Sequence, residues 1–350
     1  MAPQIQDPAL PPDSLILVTG ANGLIASHIV DQLLLYGYAV RGTVRSHART
    51  SWMTPLYESR HPNSKLEIVE VVDITAEGCY DAALKGVSAV IHTAAINILS
   101  DDPSVITQSV DANLNVLRNV EKANKSGEKI ERVVFTSSSW AVQYPQPNTP
   151  ITLTYDTYND LALKMLSDQN TPKEARGILT YVAGKVEAEK ESWKWIASHK
   201  DAGFIVNTVI PGTCIGPVLA PEDQSYPTTA GYVRSVYEGT QQEVFQWLDP
   251  QWYVDVRDAA RLHVAAVALA GVEGERVFAL AETYTWPGVQ KVIEEEMGKK
   301  CPVEMKEKGE DLSTVPLEKS TAYLKRLGLE GWEKFERSVR ANIRSFYPRE

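Results

Sequence analysis

Residues 14–28 read S-L-I-L-V-T-G-A-N-G-L-I-A-S-H, an apolar run broken by two glycines and resumed with helical spacing. Residues 14–19 have the length and branching of a strand covered on both faces. Gly20 suits a tight turn, Gly23 lets a pyrophosphate approach the backbone, and Ala26 keeps the helix near the sheet. A helix opening at about Leu24 then offers free N–H groups and a partial positive charge to phosphate. The spacing is G-x-x-G-x-x-A, not the G-x-G-x-x-G of the common dinucleotide fingerprint, so its position directly after the first strand matters. The other reading is a plain glycine turn.

Outward from this turn, short β-branched runs alternate with helix-patterned segments. Strands are expected at 38–44, 66–73, 88–94, 132–137 and 204–210, with helices at 24–36, 76–85, 103–126 and 179–200. This alternation predicts an α/β fold of Rossmann type, a doubly wound parallel sheet with right-handed crossovers. After Pro211 the chain becomes rich in proline and glycine, and residues 253–266 read as a return to the sheet domain with a helix opening at Asp258. Trp332, Phe335, Val339, Ile343 and Phe346 recur at helical intervals as one buried stripe; a membrane-binding helix is the alternative. The expected division is a dinucleotide-binding domain over 13–212 and 252–280, a smaller substrate-binding region over 213–251 and 281–346, and a flexible leader over 1–12.

The bulk properties narrow the function. With 350 residues, 43% of them hydrophobic and 23% charged, the chain has the composition of an ordinary globular protein. Its net charge of −10 argues against a nucleic-acid partner. Cys79, Cys214 and Cys301 share no short spacing, which fits a reducing, cytoplasmic setting and no disulfide framework. The opening residues lack the basic start and apolar core of a signal peptide, and no apolar run approaches the length of a membrane span. The six histidines form no helical pair or Cys/His cluster, so no metal site is expected.

The second strand bears on the choice of dinucleotide. An NAD-binding chain places Asp or Glu there for the ribose hydroxyls; here the run is G-T-V-R-S-H-A-R, with Arg45 and Arg49 and no acid. Guanidinium forks suit a 2′-phosphate, so NADP(H) is expected; two ordinary surface arginines are the alternative. Asp73 ends the third strand, where it meets an adenine amino group or else caps the next turn. Thr93, Ala94 and Ala95 offer small residues along which a nicotinamide ribose can lie.

At the chemical end, F-T-S-S-S-W (135–140) closes the fifth strand, where ligands of such sheets bind. A hydroxyl there donates to a substrate carbonyl, or the serines serve a turn. Y-V-A-G-K places Tyr181 and Lys185 one helical turn apart on one face. A free phenol has a pKa of about 10, and a neighbouring ammonium favours its ionised form. Gly184, costly inside a helix, allows a close approach to the cofactor or a neighbouring strand.

These stretches together resemble the extended short-chain dehydrogenase/reductases, most nearly the dihydroflavonol reductase-like branch with its fungal NADPH-dependent ketone, aldehyde and methylglyoxal reductases. The likeness runs from about Leu15 to Phe346 through V-T-G-A-N-G-L-I-A, V-R-G-T-V-R, V-V-D-I-T, V-I-H-T-A-A, R-V-V-F-T-S-S-S, Y-V-A-G-K, V-I-P-G-T-C-I-G-P and Y-V-D-V-R-D-A-A-R-L-H. It implies a triad of Ser138, Tyr181 and Lys185, and cofactor contacts at Arg45, Asp73, Ile74, Pro211 and the backbone that follows. The full expected cofactor set adds Gly20, Asn22, Gly23, Leu24, Ile25, Arg49, Thr93, Ala94, Ala95, Thr136, Thr213 and Cys214 to these and to Tyr181 and Lys185. Three features depart from the family pattern: Ala112 in place of a glycine, Y-D-T-Y-N (155–159) in place of an acidic-aromatic motif, and a second serine, Ser139, beside Ser138.

The resemblance implies hydride transfer from NADPH to a small-molecule carbonyl compound, with Tyr181 donating the proton and Lys185 lowering its pKa. Two other readings compete: an NAD-dependent sugar-nucleotide epimerase or dehydratase, disfavoured by the missing acid, and a non-catalytic NADP-binding redox sensor, disfavoured by the Tyr/Lys pair. Pocket walls are expected after Ser138, over 213–235, and around Trp252 and Trp286, suiting a medium-sized apolar carbonyl compound.

Overall fold

The computed structural model describes residues 5–96 and 98–348. Ten strands are named here in chain order. They are β1 (Leu15–Thr19), β2 (Ala39–Val44), β3 (Leu66–Glu70), β4 (Ala89–His92), β5 (Arg132–Thr136), β6 (Ile205–Pro211), β7 (Thr213–Ile215), β8 (Gln251–Asp255), β9 (Arg276–Ala279) and β10 (Glu282–Tyr284). Seven form a parallel sheet in the order β3-β2-β1-β4-β5-β6-β9, and β10-β8-β7 form a small separate sheet. The expected doubly wound Rossmann architecture is present, with its order reversing between β1 and β4, where such sheets bind ligands.

Alternation along β1 explains why it is buried on both faces. Ile16 and Val18 point into one core, with Ile29, Val30 and Leu33 of the helix Leu24–Leu35. Leu17 points the other way, toward Val116, Leu117 and Val120 of the helix Ser104–Lys125. The small sheet has its own core, in which Ile215, Tyr253, Trp286 and Ile293 meet. The expected single stripe is divided between the two regions: Phe335, Val339 and Ile343 of the helix Phe335–Phe346 belong to the small core, while Phe346 and Trp332, which precedes the helix, pack half-buried on the large one.

Three expectations change. Residues 76–85 form turns, not a helix, because Gly78 holds φ +69° and the Asp73 carboxylate captures the Thr75 N–H at 2.8 Å. Their apolar spacing still serves burial, since Tyr80, Ala83 and Leu84 sit in the core. Residues 251–255 form β8 of the small sheet, and the helix that follows returns to the core of the large one, but it is Val256–Ala268, capped by Asp255 through the Arg257 N–H at 2.8 Å and not opened at Asp258. The third change concerns the leader. Residues 1–4 lie outside the described residues, but 5–12 are docked: Pro8 bridges Leu269, the Ala9 N–H donates to the Ala268 carbonyl at 2.6 Å, and Leu10 is 1% exposed. Proline-rich composition suggested flexibility, yet one apolar anchor and backbone groups left unpaired past a helix end hold the segment.

Leu10→Ala should therefore cost about 3 kcal/mol of stability in a denaturant titration; a flexible leader would leave the midpoint unchanged.

Candidate active site

Gly20 follows β1 with φ +64°, and a Cβ there would lie 3.1 Å from the Ala94 Cα. The turn is thus pressed against the end of β4, and only glycine suits both the conformation and the space. Thr19 ties the two strand ends: its hydroxyl oxygen accepts the N–H groups of Thr93 and Ala94, each at 3.1 Å, and the hydroxyl shares a hydrogen bond with His92 Nδ1 at 2.9 Å. The Thr93 hydroxyl in turn donates to the Thr19 carbonyl. Burial holds His92 neutral, its pKa pushed down to about 3.

The helix Leu24–Leu35 begins at Gly23 with no side-chain cap and no acid in its first turn. Its first N–H groups therefore stay available to an anion, and Asn22 and Gly23 are exposed beside them. Leu24 is buried and Ile25 partly so, which fixes the helix end on the core. Arg45 and Arg49 lie just past β2, both exposed and without an ion pair among the described residues. An uncapped helix end, a glycine cradle and two unpaired guanidinium groups fit a phosphorylated dinucleotide.

Other expected contacts are already engaged. Asp73 acts as a turn cap, accepting from the Thr75 hydroxyl at 2.6 Å and its N–H at 2.8 Å, bonds that lower its pKa. The Ile74 carbonyl accepts from Asn115. Pro211 ends β6, while Thr213 and Cys214 are buried in β7 and paired with β8. The Cys214 carbonyl accepts from Thr229, and burial raises its thiol far above the usual range. The Thr136 hydroxyl meets His263 Nε2 at 2.8 Å.

Tyr181 and Lys185 project from the helix Lys173–Ser198 into one cleft, lined also by Ala95, Thr136, Ser137 and Glu189. Ala94 touches Gly20 and Ala95 lines this cleft, so the glycine turn and the phenol are neighbours across the end of β4. The Ser138 hydroxyl, which accepts from the Trp140 N–H at 3.2 Å, lies near enough to the Tyr181 phenol to favour its ionised form, whereas Ser139 lines a separate hollow with Trp140, Val142 and Trp252. Gly184 makes its close approach to another helix, not to a strand: a Cβ there would lie 3.0 Å from Ser109 Oγ. Ala112, at the family's glycine position, is buried in the cleft wall.

The electrostatics depart from expectation. Burial is the largest influence on Tyr181 and raises its pKa; the Ser138 hydroxyl acts in the opposite direction, and Tyr232 and Cys214 add further rises. The expected lowering by Lys185 is not what sets this phenol. Lys185 Nζ donates instead to the Thr136 carbonyl at 3.3 Å, and burial pushes its own pKa down to about 8, partly offset by Glu189.

Glu189 was missed in the sequence, although the spacing that singles out Lys185 reaches it one turn later. Gln224 was missed too; its side-chain amide donates to the Asn22 carbonyl at 3.0 Å, linking the 221–224 segment to the glycine turn. Of the expected walls, Tyr232 and Trp286 meet edge to face at 6.1 Å, whereas the Trp252 indole donates to Ser313 beside Ile210 and Phe278.

Residues 16–280 match the model of the NAD dependent epimerase/dehydratase family. Aldehyde reductase 2 of Sporidiobolus salmonicolor is 33% identical over 343 residues, covering 96% of this chain and 97% of the relative. Ketoreductase adrE of Penicillium rubens is 34% identical over 344 residues, covering 97% and 98%. Among solved structures, yeast methylglyoxal/isovaleraldehyde reductase Gre2 complexed with NADPH superposes with a TM-score of 0.77 at 24% identity, covering 95% of this chain and 97% of that one. The chain belongs to the NAD dependent epimerase/dehydratase family, within the extended short-chain dehydrogenase/reductases.

Proposed function

We propose that this protein is an NADPH-dependent carbonyl reductase that converts a ketone or aldehyde to an alcohol, with Ser138, Tyr181 and Lys185 as its catalytic residues. The observation that carries this reading is the cleft shared by Tyr181 and Lys185, one residue from the contact between Ala94 and Gly20, with the Ser138 hydroxyl near enough to the phenol to favour its ionised form. The similarity to an aldehyde reductase and a ketoreductase over nearly the whole chain supports it.

The helix end after Gly23 would hold the pyrophosphate, and Arg45 and Arg49 the 2′-phosphate. Bound NADPH supplies the hydride that the carbonyl carbon receives. Ser138 and Tyr181 hydrogen-bond the carbonyl oxygen and orient it. Tyr181 then gives its proton to that oxygen, completing the alcohol, and regains one from solvent. A phenol raised by burial stays protonated through the neutral range, which suits an acid in the direction of reduction. Lys185, while charged, stabilises the phenolate left behind. The Tyr232 ring, near enough to the Tyr181 phenol to raise its pKa, favours an apolar carbonyl compound. Three free thiols support a reducing cytoplasm as its setting.

Tyr181→Phe should retain NADPH binding, read by quenching of intrinsic fluorescence, and lose about 10²- to 10⁴-fold in turnover; a fully active variant overturns the assignment. Lys185 is charged below its pKa of about 8, so reduction should decline as pH rises through that value. A pH–rate profile flat to pH 10 would contradict its role. Arg45→Ala should raise KM for NADPH by about tenfold and leave that for NADH nearly unchanged; equal effects on both would remove the 2′-phosphate contact.

A further inference from the structure

The helix that carries Tyr181 and Lys185 bears a third polar residue on the same face, and it is deeply buried. Glu189 is 3% exposed. One carboxylate oxygen accepts from the Ser137 hydroxyl at 2.6 Å, and the other from Arg276 Nε on β9 at 2.6 Å, with the Trp193 indole at 3.4 Å. Arg276 is itself buried; it donates to the carbonyls of Tyr155 and Thr157, and its guanidinium lies 4.0 Å from the centre of the Tyr158 ring. The carboxylate thus spans three strand and helix elements and also reaches, through Arg276, the Y-D-T-Y-N loop. Burying an ion pair is expensive, and a stable core does not require one at this position.

What distinguishes the position is its neighbours. Ser137 directly precedes Ser138, and Lys185 lies one helical turn from Glu189 in the same cleft. We propose that Glu189 is a positioning residue for the reaction: its carboxylate, pinned between Ser137 and Arg276, is the counter-charge that keeps Lys185 an ammonium and fixes the strand end bearing Ser138. The inference rests on the reductase reading for its consequence in turnover, but not for its effect on Lys185.

The charges around Lys185 are few. From β4 the nearest titratable group is His92, neutral and driven down to about 3; behind Thr136 the helix Val256–Ala268 brings His263, neutral and down to about 4. From β5 come the Thr136 carbonyl and Ser137, from β6 Thr208, and from the helix Ser104–Lys125 only Ser109, Ala112 and Asn113. On its own helix Tyr181 is a neutral phenol. Arg276 from β9 is engaged by Glu189. Of these groups Glu189 alone is negative, and its charge opposes the effect of burial on Lys185.

The test titrates Lys185 in the cofactor-free protein by competitive acetylation across pH, read by mass spectrometry. In Glu189→Gln the midpoint should fall by about one pH unit, which lowers the charged fraction at pH 7 from about nine-tenths to about half, and the alkaline limb of kcat should shift the same way. Ser137→Ala, which keeps the charge, should leave the midpoint in place while raising KM or lowering kcat modestly. Glu189→Gln leaves Arg276 buried without its partner, so Glu189→Gln/Arg276→Met, which removes both charges, is the variant to titrate should the single change not fold; it too should show the acid shift. A folded variant whose midpoint does not move, or a Ser137→Ala shift of equal size, overturns the inference. If Tyr181→Phe stays active while the Glu189→Gln midpoint moves, the functional reading fails and the Glu189 contact stands.

Discussion

The site depends on one close contact between two helices. Gly184, between Tyr181 and Lys185 in sequence, brings the helix Lys173–Ser198 so near the helix Ser104–Lys125 that a side chain would meet Ser109 at 3.0 Å. That contact sets the rotation of the helix. With one face locked, Tyr181 and Lys185 are turned toward the carboxyl ends of β4 and β5, and rotation by even one residue position, about 100°, would carry the phenol away from Ser138. A glycine that weakens the helix locally therefore gives it a defined orientation.

The second constraint is the switch point of the sheet. β1 pairs with β2 along one edge and β4 along the other, so the strand order reverses there, and the crevice at their ends is where Thr19, Thr93 and Ala94 interlock. The same knot holds Gly20 against the end of β4 and brings the glycine turn within a residue of the cleft that Tyr181 and Lys185 line. Fold and site are in this sense one arrangement: the hydrogen bonds that close the sheet crevice also set the distance between the glycine turn and the phenol.

Much of this was legible in the residues because it is periodic or local. Strand alternation, the glycine turn after β1, the Tyr181–Lys185 spacing and the buried Val339–Ile343 stripe each depend on neighbours a turn apart. What escaped was long-range. Glu189 is meaningful only once Arg276, 87 positions away, reaches it. β8 reads as a strand but its sheet is a tertiary choice, and residues 5–12 read as loose until Leu10 finds the core. The 76–85 segment has helical apolar spacing, but the backbone at Gly78 overrides it. The electrostatics of Tyr181 escaped for a related reason: spacing shows that an ammonium is near, and only packing shows that burial outweighs it.

The most direct test of the account is a crystal structure of the protein with NADPH. It predicts pyrophosphate on the uncapped N-terminus of the helix Leu24–Leu35, the 2′-phosphate beside Arg45, and the nicotinamide ring facing the hydroxyls of Tyr181 and Ser138. A ring seated elsewhere, with the Tyr181 hydroxyl out of its reach, would contradict it.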